Sequence, residues 1–446
     1  MKKVLATILA LVMAIGLCSV SWATDPASVN SAETLQTAIA NGGEVKLDAN
    51  ISATITIPAD KTVTLDLNGK TLTGSIVNKG KLTVTGTGSV VATDTETAAV
   101  ANFPGGTVTL SGGTYMSERW YVIKNMGEMY INGSVSVQKP DGSTDTSSLI
   151  DNGWVNGSDT VAGVPVPAQA DKAKLFISSG TFTGKSGAKS CSVVKNDDYG
   201  VLEISGGTFD STANNGTDNA TTLLNWNIAR ISGGTFNGMY PISNGAYNND
   251  ADKGQITITG GEFIGTSTIF GNGQGGDGKG AVTVSGGTFT APALGAGYEN
   301  ARGGYTLAVT GGTFSRDLSD VSDYAPEGTP VAIVGNDYAV GSAVIAAAAN
   351  NGKSVMVTKA GPINGVDAGK SITVNRGVTG VTVNGVPVTG GSYTVPSHYY
   401  YYPTTDTKTD TTKGSPKTFD AGIALYVGMA LTSAAGVAFV GKKRED

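Results

Sequence analysis

One short motif, Ser-Gly-Gly-Thr-Phe, recurs along the chain and limits its possible folds more than any other feature. Its threonine, once replaced by glutamate, falls at Thr114, Thr181, Thr208, Thr235, Glu262, Thr288 and Thr313. After a first step of 67 residues, the spacing settles at 25 to 27 residues. A fixed period of this length predicts a repeat architecture in which successive copies stack on one another.

Each copy has the pattern of two short strands joined at a corner. Leu202 and Ile204 alternate with polar residues, which predicts a half-buried strand. The following Gly-Gly pair suits a corner where neighbouring backbones approach closely. Phe209 is then placed to point inward from the next strand. The motif is therefore predicted to be structural, supplying a corner and a core aromatic residue.

Stacking would align equivalent residues about 4.8 Å apart in continuous files. One predicted file is aromatic and comprises Tyr115, Phe182, Phe209, Phe236, Phe263, Phe289 and Phe314. A second predicted file consists of asparagines, each expected at a bend. Asparagine tolerates the left-handed conformation, and its amide can bond to the amide of the next coil. The members of this file are Asn102, Asn125, Asn152, Asn196, Asn225, Asn244 and Asn272. This asparagine ladder resembles that of the right-handed parallel β-helix of the pectin lyase-like superfamily. The resemblance covers residues 44–318 and implies an all-β solenoid of about ten coils, without implying active-site residues.

The two ends of the predicted solenoid need covering elements, because an open end would expose the core. Residues 24–43 contain a short amphipathic helix in which Asn30 and Glu33 are spaced as a capping box, and Leu35 and Ile39 share one face. Residues 319–396 are predicted to form a small, mostly β module. A polar stalk follows at 397–414.

Both termini carry the pattern of targeting signals. Residues 1–23 have two lysines, an apolar run and small residues up to Ala23, as in a secretory signal peptide. Residues 415–446 include an uncharged span, 421–440, long enough for a transmembrane helix, followed by a basic tail. This arrangement resembles a sortase sorting signal, matched at Ser415, Pro416, Lys417 and Thr418, with Phe419 where that family has glycine. The resemblance implies extracellular display, anchored in the membrane or cell wall, with sortase as a partner.

Composition narrows the chemistry that the chain could perform. The formal net charge is −6, and no basic stripe is present, which argues against a nucleic-acid partner. The only histidine is His398, and Cys191 is the only cysteine left after removal of the signal peptide. Serine-histidine or cysteine-histidine catalysis, an internal disulfide and structural zinc are therefore not expected, and no cofactor is predicted.

Loop carboxylates are the remaining catalytic or metal-binding candidates. Asp197 and Asp198 follow a ladder asparagine, and Asp250, Asp252 and Asp277 lie in comparable loops of later copies. Stacking would bring these loops to one edge, where paired acids could hydrolyse glycosides or bind Ca²⁺. Solvated acidic turns are the simpler interpretation.

Aromatic residues lie in the same loops. Trp154, Tyr199, Trp226 and Tyr247 each follow a ladder asparagine by one to three residues. Flat rings beside polar groups hold sugars, so these residues predict a glycan-binding strip, and packing over the turns is the simpler interpretation. The sequence therefore predicts a surface-anchored binding or adhesion protein for glycans of host or neighbouring cells. A polysaccharide lyase or hydrolase acting through Asp197 and Asp198, and a passive envelope spacer, are the alternatives.

Overall fold

The computed structural model describes residues 25–94, 97–154, 159–161, 164–166, 172–184, 192–214, 221–246, 254–272, 280–295 and 306–397. The predicted signal peptide, sorting motif and transmembrane span lie outside these residues, as do Cys191, His398 and nearly all of the stalk. Within the described ranges, no helix combines the length and apolar character needed to cross a membrane.

Parallel strands dominate the described residues from 43 to 315 and recur in three ladders. The first ladder contains Gly43–Leu47, Thr62–Asp66, Lys81–Thr85, Thr107–Ser117, Glu128–Gln138, Ala173–Ile177, Gly200–Ile204, Ile228–Ile231, Gln255–Ile258, Ala281–Thr290 and Thr306–Ser315. The second contains Ile51–Ser52, Lys70–Thr73, Gly88–Ala92, Thr181–Thr183, Thr208–Asp210, Thr235–Gly238 and Glu262–Gly265, and the four long strands of the first ladder continue into it. The third contains Ile55–Ile57, Ile76–Asn78, Val100–Asn102, Ile123–Asn125, Ile150–Asn152, Val194–Asn196, Thr221–Asn225, Tyr240–Asn244 and Phe270–Asn272.

Equivalent residues of successive coils pair with one another, as the sequence period predicts. Thr208 pairs with Thr235, and Phe209 with Phe236. Each coil thus supplies a strand to the same ladder as the coil before it, so the chain has a β-helix-like, all-β fold.

The Gly-Gly corner is required by close backbone stacking. A Cβ atom on Gly206 would lie 2.3 Å from the carbonyl oxygen of Ser178 in the preceding coil. Gly207 has φ +104°, a conformation that side chains rarely adopt. The recurrent motif therefore has the structural role predicted for it.

The predicted aromatic file is confirmed. From Phe182 to Phe314, the successive ring centroids are 4.6, 4.7, 5.0, 4.8 and 4.6 Å apart and the rings are nearly parallel. All of these rings are fully buried. Val137 occupies the position between Tyr115 and Phe182, so the tyrosine is separated from the phenylalanines by one coil. The Tyr115 hydroxyl donates to the carbonyl oxygen of Gly112 at 2.9 Å, which satisfies its only buried polar group.

The asparagine ladder is also present and begins one coil earlier than predicted, at Asn78. Its members are Asn78, Asn102, Asn125, Asn152, Asn196, Asn225 and Asn244, and each Nδ2 donates to the Oδ1 of the next at 2.7 to 2.9 Å. Asn272 continues the register by its backbone. The expected left-handed conformation is wrong: among described non-glycine residues, only Asn68 and Asn384 have positive φ. The ladder residues end regular strands, and their amides point along the stack.

The N-terminal end is covered by a helix, as predicted. The strand Ala27–Val29 pairs with Gly43–Leu47, and the helix Ala32–Asn41 between them buries Leu35 and Ile39. The capping box is formed by Ser31 and Thr34, which corrects the predicted Asn30 and Glu33 by one residue. Ser31 is the residue with extended backbone immediately before the first helical turn, so its side chain can accept from the Thr34 N–H.

The C-terminal end is closed by antiparallel pairing. The strand Asp337–Val340 pairs with both Thr306–Ser315 and Val331–Val334. The remaining elements are the helices Val321–Tyr324 and Ser342–Asn350 and the strands Val355–Lys359, Pro362–Ile363, Ser371–Val374, Val381–Val383, Val386–Val388 and Gly391–Thr394. Val321 of the first helix packs in the main core, whereas the other elements enclose a second apolar core that includes Ile345, Val357 and Val383. Two further elements occur in loops, an antiparallel hairpin of Asp159–Val161 with Val164–Val166 and a 3-10 turn at Thr212–Asn214.

Candidate functional site

The outer face of the third ladder is covered by other parts of the chain. In each three-residue strand the first residue faces the main core, so the second faces the opposite side. Lys124, Asp151 and Lys195 occupy this second position on consecutive strands and are paired in register. An apolar cluster that includes Phe103, Met126 and Trp154 packs on the same side. We call this surface the covered face.

Two of the predicted sugar-binding aromatic residues are part of that cover. The Trp154 ring is fully buried and stacks on Tyr199, with centroids 5.4 Å apart and planes 6° apart. Its ring therefore packs inside the protein, which corrects the expectation that Trp154 offers a flat face to a ligand. Trp226 is half-buried, and the Lys195 ammonium lies 4.4 Å from its ring centroid. Tyr247 lies outside the described residues.

The predicted acidic pair is buried as well. Asp197 and Asp198 are 2% and 3% exposed, which corrects both the solvated-turn and the accessible-acid interpretations. Lys195 donates to Asp197 at 2.9 Å. Burial, followed by the charge of Asp151, raises the pKa of Asp197 to about 7 against the opposing effect of Lys195 and Lys124. For Lys195, burial alone would lower the pKa, but Asp151 and Asp197 outweigh it and raise the pKa.

The other predicted metal candidates, Asp250, Asp252 and Asp277, lie outside the described residues. Within the ranges that the structure covers, no group of three or more acidic, histidine or cysteine side chains is arranged to hold a metal ion.

The outer face of the first ladder, by contrast, is open and forms a groove. Five side chains stand in register on consecutive strands of this face, and we call them the groove file: Tyr130, Phe176, Glu203, Arg230 and Thr257. They line a hollow of about 400 Å³ together with serines and threonines of the adjacent corner, among them Ser205 and Ser232. We call this surface the open groove.

The groove file combines an aromatic platform with a pair of opposite charges. The rings of Tyr130 and Phe176 stack with centroids 4.9 Å apart and planes 11° apart, and Tyr130 is 36% exposed. On the next two coils, Arg230 Nη1 lies 3.3 Å from Glu203 Oε1, and both side chains are about half exposed to solvent. Aromatic, anionic and cationic groups are thus presented to solvent within four consecutive coils.

A second hollow of about 580 Å³ adjoins the groove on the same strands. It is lined by Gly105, Glu128 and Lys174, among others, and Lys174 Nζ lies 3.6 Å from Glu128 Oε2. The Tyr130 hydroxyl donates to Glu128 Oε1 at 2.5 Å, and this hydrogen bond is the main cause of a raised Tyr130 pKa. Tyr130 therefore stands between the two hollows and is held in position by Glu128.

Sequence reasoning missed the groove file because it concentrated on the loops after the asparagine ladder. Phe176 alternates with Leu175 and Ile177, so its outward direction could have been predicted from the strand period. Its alignment with Tyr130 could not, because residues 139–172 intervene and break the repeat spacing between the two coils.

Comparisons with protein-family models, with curated proteins and with solved structures return no match for this chain.

Proposed function

We propose that this chain is a surface-anchored binding or adhesion protein that recognises glycans along the open groove. The observation that carries the proposal is the exposed, stacked pair Tyr130 and Phe176 beside the Glu203–Arg230 ion pair. Most large apolar side chains of this fold are buried, so a solvent-facing aromatic platform stands out from the rest of the strand surface.

The chemistry of the groove suits a carbohydrate. The apolar face of a sugar ring packs on flat aromatic side chains, while hydroxyl groups bond to carboxylate, guanidinium and hydroxyl partners. Glu203, Arg230 and Thr257 supply these partners along the same line. Because strands of a ladder are about 4.8 Å apart, the groove offers repeated contacts to an extended chain rather than one deep pocket.

Cell-surface display rests on the terminal sequences. The signal-peptide pattern of residues 1–23 and the apolar span 421–440 with its basic tail support export and anchoring. Whether sortase accepts Phe419 after Thr418 is tested by surface labelling of cells with and without sortase.

We also propose right-handed coils, as in the pectin lyase-like superfamily, because parallel crossover connections are right-handed in about 98% of cases.

The test is retention of the purified ectodomain, residues 24–404, on an array of glycans. Replacing Tyr130 or Phe176 by alanine removes one half of the platform, and we expect binding to weaken about 5- to 50-fold, equivalent to roughly 1–2.5 kcal/mol. Tyr130→Phe keeps the ring and should retain most of the affinity. Thr283→Ala, on the same file one coil beyond the groove, is the matched control and should bind as the parent does.

The same experiment separates the alternatives. Assays for new reducing ends and unsaturated products would detect a polysaccharide hydrolase or lyase, and turnover that disappears in Asp197→Asn would favour that enzyme over a binding protein. Absence of retention on every glycan would contradict the proposal and favour a passive envelope spacer. Retention that is unaffected by either aromatic substitution would place the binding surface elsewhere on the molecule.

A further inference from the structure

The ion pair between Lys124 and Asp151 on the covered face differs from the other ion pairs of the described residues. Lys124 Nζ lies 2.5 Å from Asp151 Oδ2, and the two side chains are 0% and 1% exposed. Five other pairs span 2.8 to 3.6 Å, and each of the five has at least one side chain with measurable exposure, such as 15% for Lys195 or 21% for Asp145. Lys124 and Asp151 are therefore in closer contact than these five pairs and more completely removed from water.

The Lys124–Asp151 contact gives a proton a direct path from the ammonium to the carboxylate. Charged groups are strongly penalised in an apolar environment, and proton transfer from ammonium to carboxylate removes both charges. The apolar cluster containing Ala101 and Trp154 supplies that environment on the covered face. A neutral lysine amine is a nucleophile, whereas the ammonium form is not. A neutral carboxylic acid is likewise a better electrophile than a carboxylate.

The geometry leaves the Asp151 carboxyl group available for reaction. Its Oδ1 atom is buried and accepts no hydrogen bond, although its Oδ2 contacts Lys124. Strand pairing holds the two residues on adjacent coils, 27 residues apart in sequence, so neither backbone can move away from the other. Fixed proximity of this kind replaces the entropy that a bimolecular condensation would have to lose.

We propose that Lys124 and Asp151 are joined by an intramolecular isopeptide bond. The Lys124 ammonium passes one proton to the Asp151 carboxylate along their hydrogen bond, and the resulting amine attacks Cγ of the acid so formed, so that a C–N bond forms and one C–O bond breaks. The departing oxygen leaves as water, carrying the acid proton and one proton from the amine. The product is an amide and one water molecule, and no oxidant, reductant or further reactant is needed.

Asp197 is assigned as a positioning residue for this reaction. It contacts Lys195, which pairs in register with Asp151, and its charge acts on both Lys124 and Asp151. With a pKa raised to about 7, Asp197 can hold a proton inside the cluster at neutral pH. A second carboxyl group beside the reacting pair can therefore adjust the net charge of the cluster by taking up or releasing a proton.

Such a bond would tie two coils together through side chains. The extra segments that interrupt the repeat lie on the covered face. One of them contains the buried residue Lys139, whose ammonium group contacts the Trp120 carbonyl oxygen and Asp145. A covalent link between neighbouring coils limits the freedom of the unfolded chain between them, as a disulfide does. The mature chain has no pair of cysteines that could serve this purpose.

Intact-mass spectrometry of the full chain under denaturing conditions tests the proposal directly. We expect the mass to be lower than the sequence mass by one water, and trypsin not to cleave after Lys124. Lys124→Arg and Asp151→Ala should restore the full sequence mass. Lys174→Arg, in an exposed ion pair, is the matched control and should keep the loss of one water. A parent chain of unmodified mass would overturn the proposal even if the two variants failed to fold.

Two more variants sharpen the assignment. Asp151→Asn should still react, releasing ammonia instead of water, so that its mature mass equals that of the parent. Asp197→Asn should slow or abolish bond formation, and Asp197→Glu should restore it. Equal mass loss in Asp197→Asn and the parent would remove the positioning role of Asp197 while leaving the bond itself in place.

Discussion

The open groove and the covered face are built from the same strand pattern, yet one is exposed and the other is buried. In both, every second residue points away from the main core, as Glu203 does on the first ladder and Asp151 on the third. Glu203 is about half exposed, while Asp151 is fully buried beneath extra chain segments. Outward direction in a stacked coil therefore does not mean contact with solvent, because the loops between strands determine which face is covered.

Aromatic residues on the two faces should contribute very differently to stability. Trp154→Ala on the covered face empties a fully buried volume and should reduce the free energy of unfolding by about 3–5 kcal/mol. Phe176→Ala in the open groove loses mainly a stacked, partly exposed contact and should cost no more than about 1.5 kcal/mol. Denaturant unfolding followed by circular dichroism measures both. Equal losses would mean that the two faces are not distinguished by burial.

Charged pairs on the two faces should differ in the same sense. Lys195→Ala leaves the buried Asp197 without its closest cation, and we expect a loss of about 3 kcal/mol in the free energy of unfolding. Arg230→Ala breaks an exposed pair, which should cost less than about 1 kcal/mol. Chemical denaturation of the two variants side by side is the measurement. A larger loss for Arg230→Ala would contradict the assignment of the open face.

The asparagine ladder supports the edge of the covered face and should show an intermediate effect. Asn152→Ala leaves the buried Oδ1 of Asn196 without its donor, while the Asn125 amide loses one acceptor and keeps its bond to the Lys174 carbonyl oxygen. Unsatisfied buried groups cost about 1–3 kcal/mol, so a loss of that size is expected in thermal or chemical unfolding. Asn132→Ala at the edge of the open groove is the control and should have little effect.

The buried Asp197 on the covered face also predicts that the free energy of unfolding depends on pH. At neutral pH this is the smallest of the effects described. The folded pKa of Asp197 is about 7, above its ordinary value of 3.8, so the folded state binds the proton more tightly than the unfolded state. This contribution to stability is complete below about pH 4 and is lost as pH rises towards 7. Asp197→Asn should remove this part of the slope in unfolding experiments from pH 4 to 8. An unchanged slope would show that Asp197 titrates normally.

Strand alternation and the repeat period were enough to predict the stacked coils, the aromatic file and the covering helix. They were not enough to predict the capping residues, since Asn30 and Ser31 are both good N-cap residues and only the backbone conformation distinguishes them. The position of Trp154 was equally ambiguous, because a tryptophan after a ladder asparagine can lie over the turn or point outward. Burial beneath segments from other coils decided its role.

The amino-acid sequence alone determined that the repeats from Thr181 to Thr313 stack in coils of 25 to 27 residues, because glycine fits the tight corners and inward apolar residues fill the interior at that period. The tertiary structure alone decided which outward side chains meet water and which meet each other. Lys124 and Asp151 are 27 residues apart and carry no motif, and they come together because strand pairing places them on neighbouring coils under a common cover. Contacts between coils depend on register and loop packing, and neither is encoded within a single repeat.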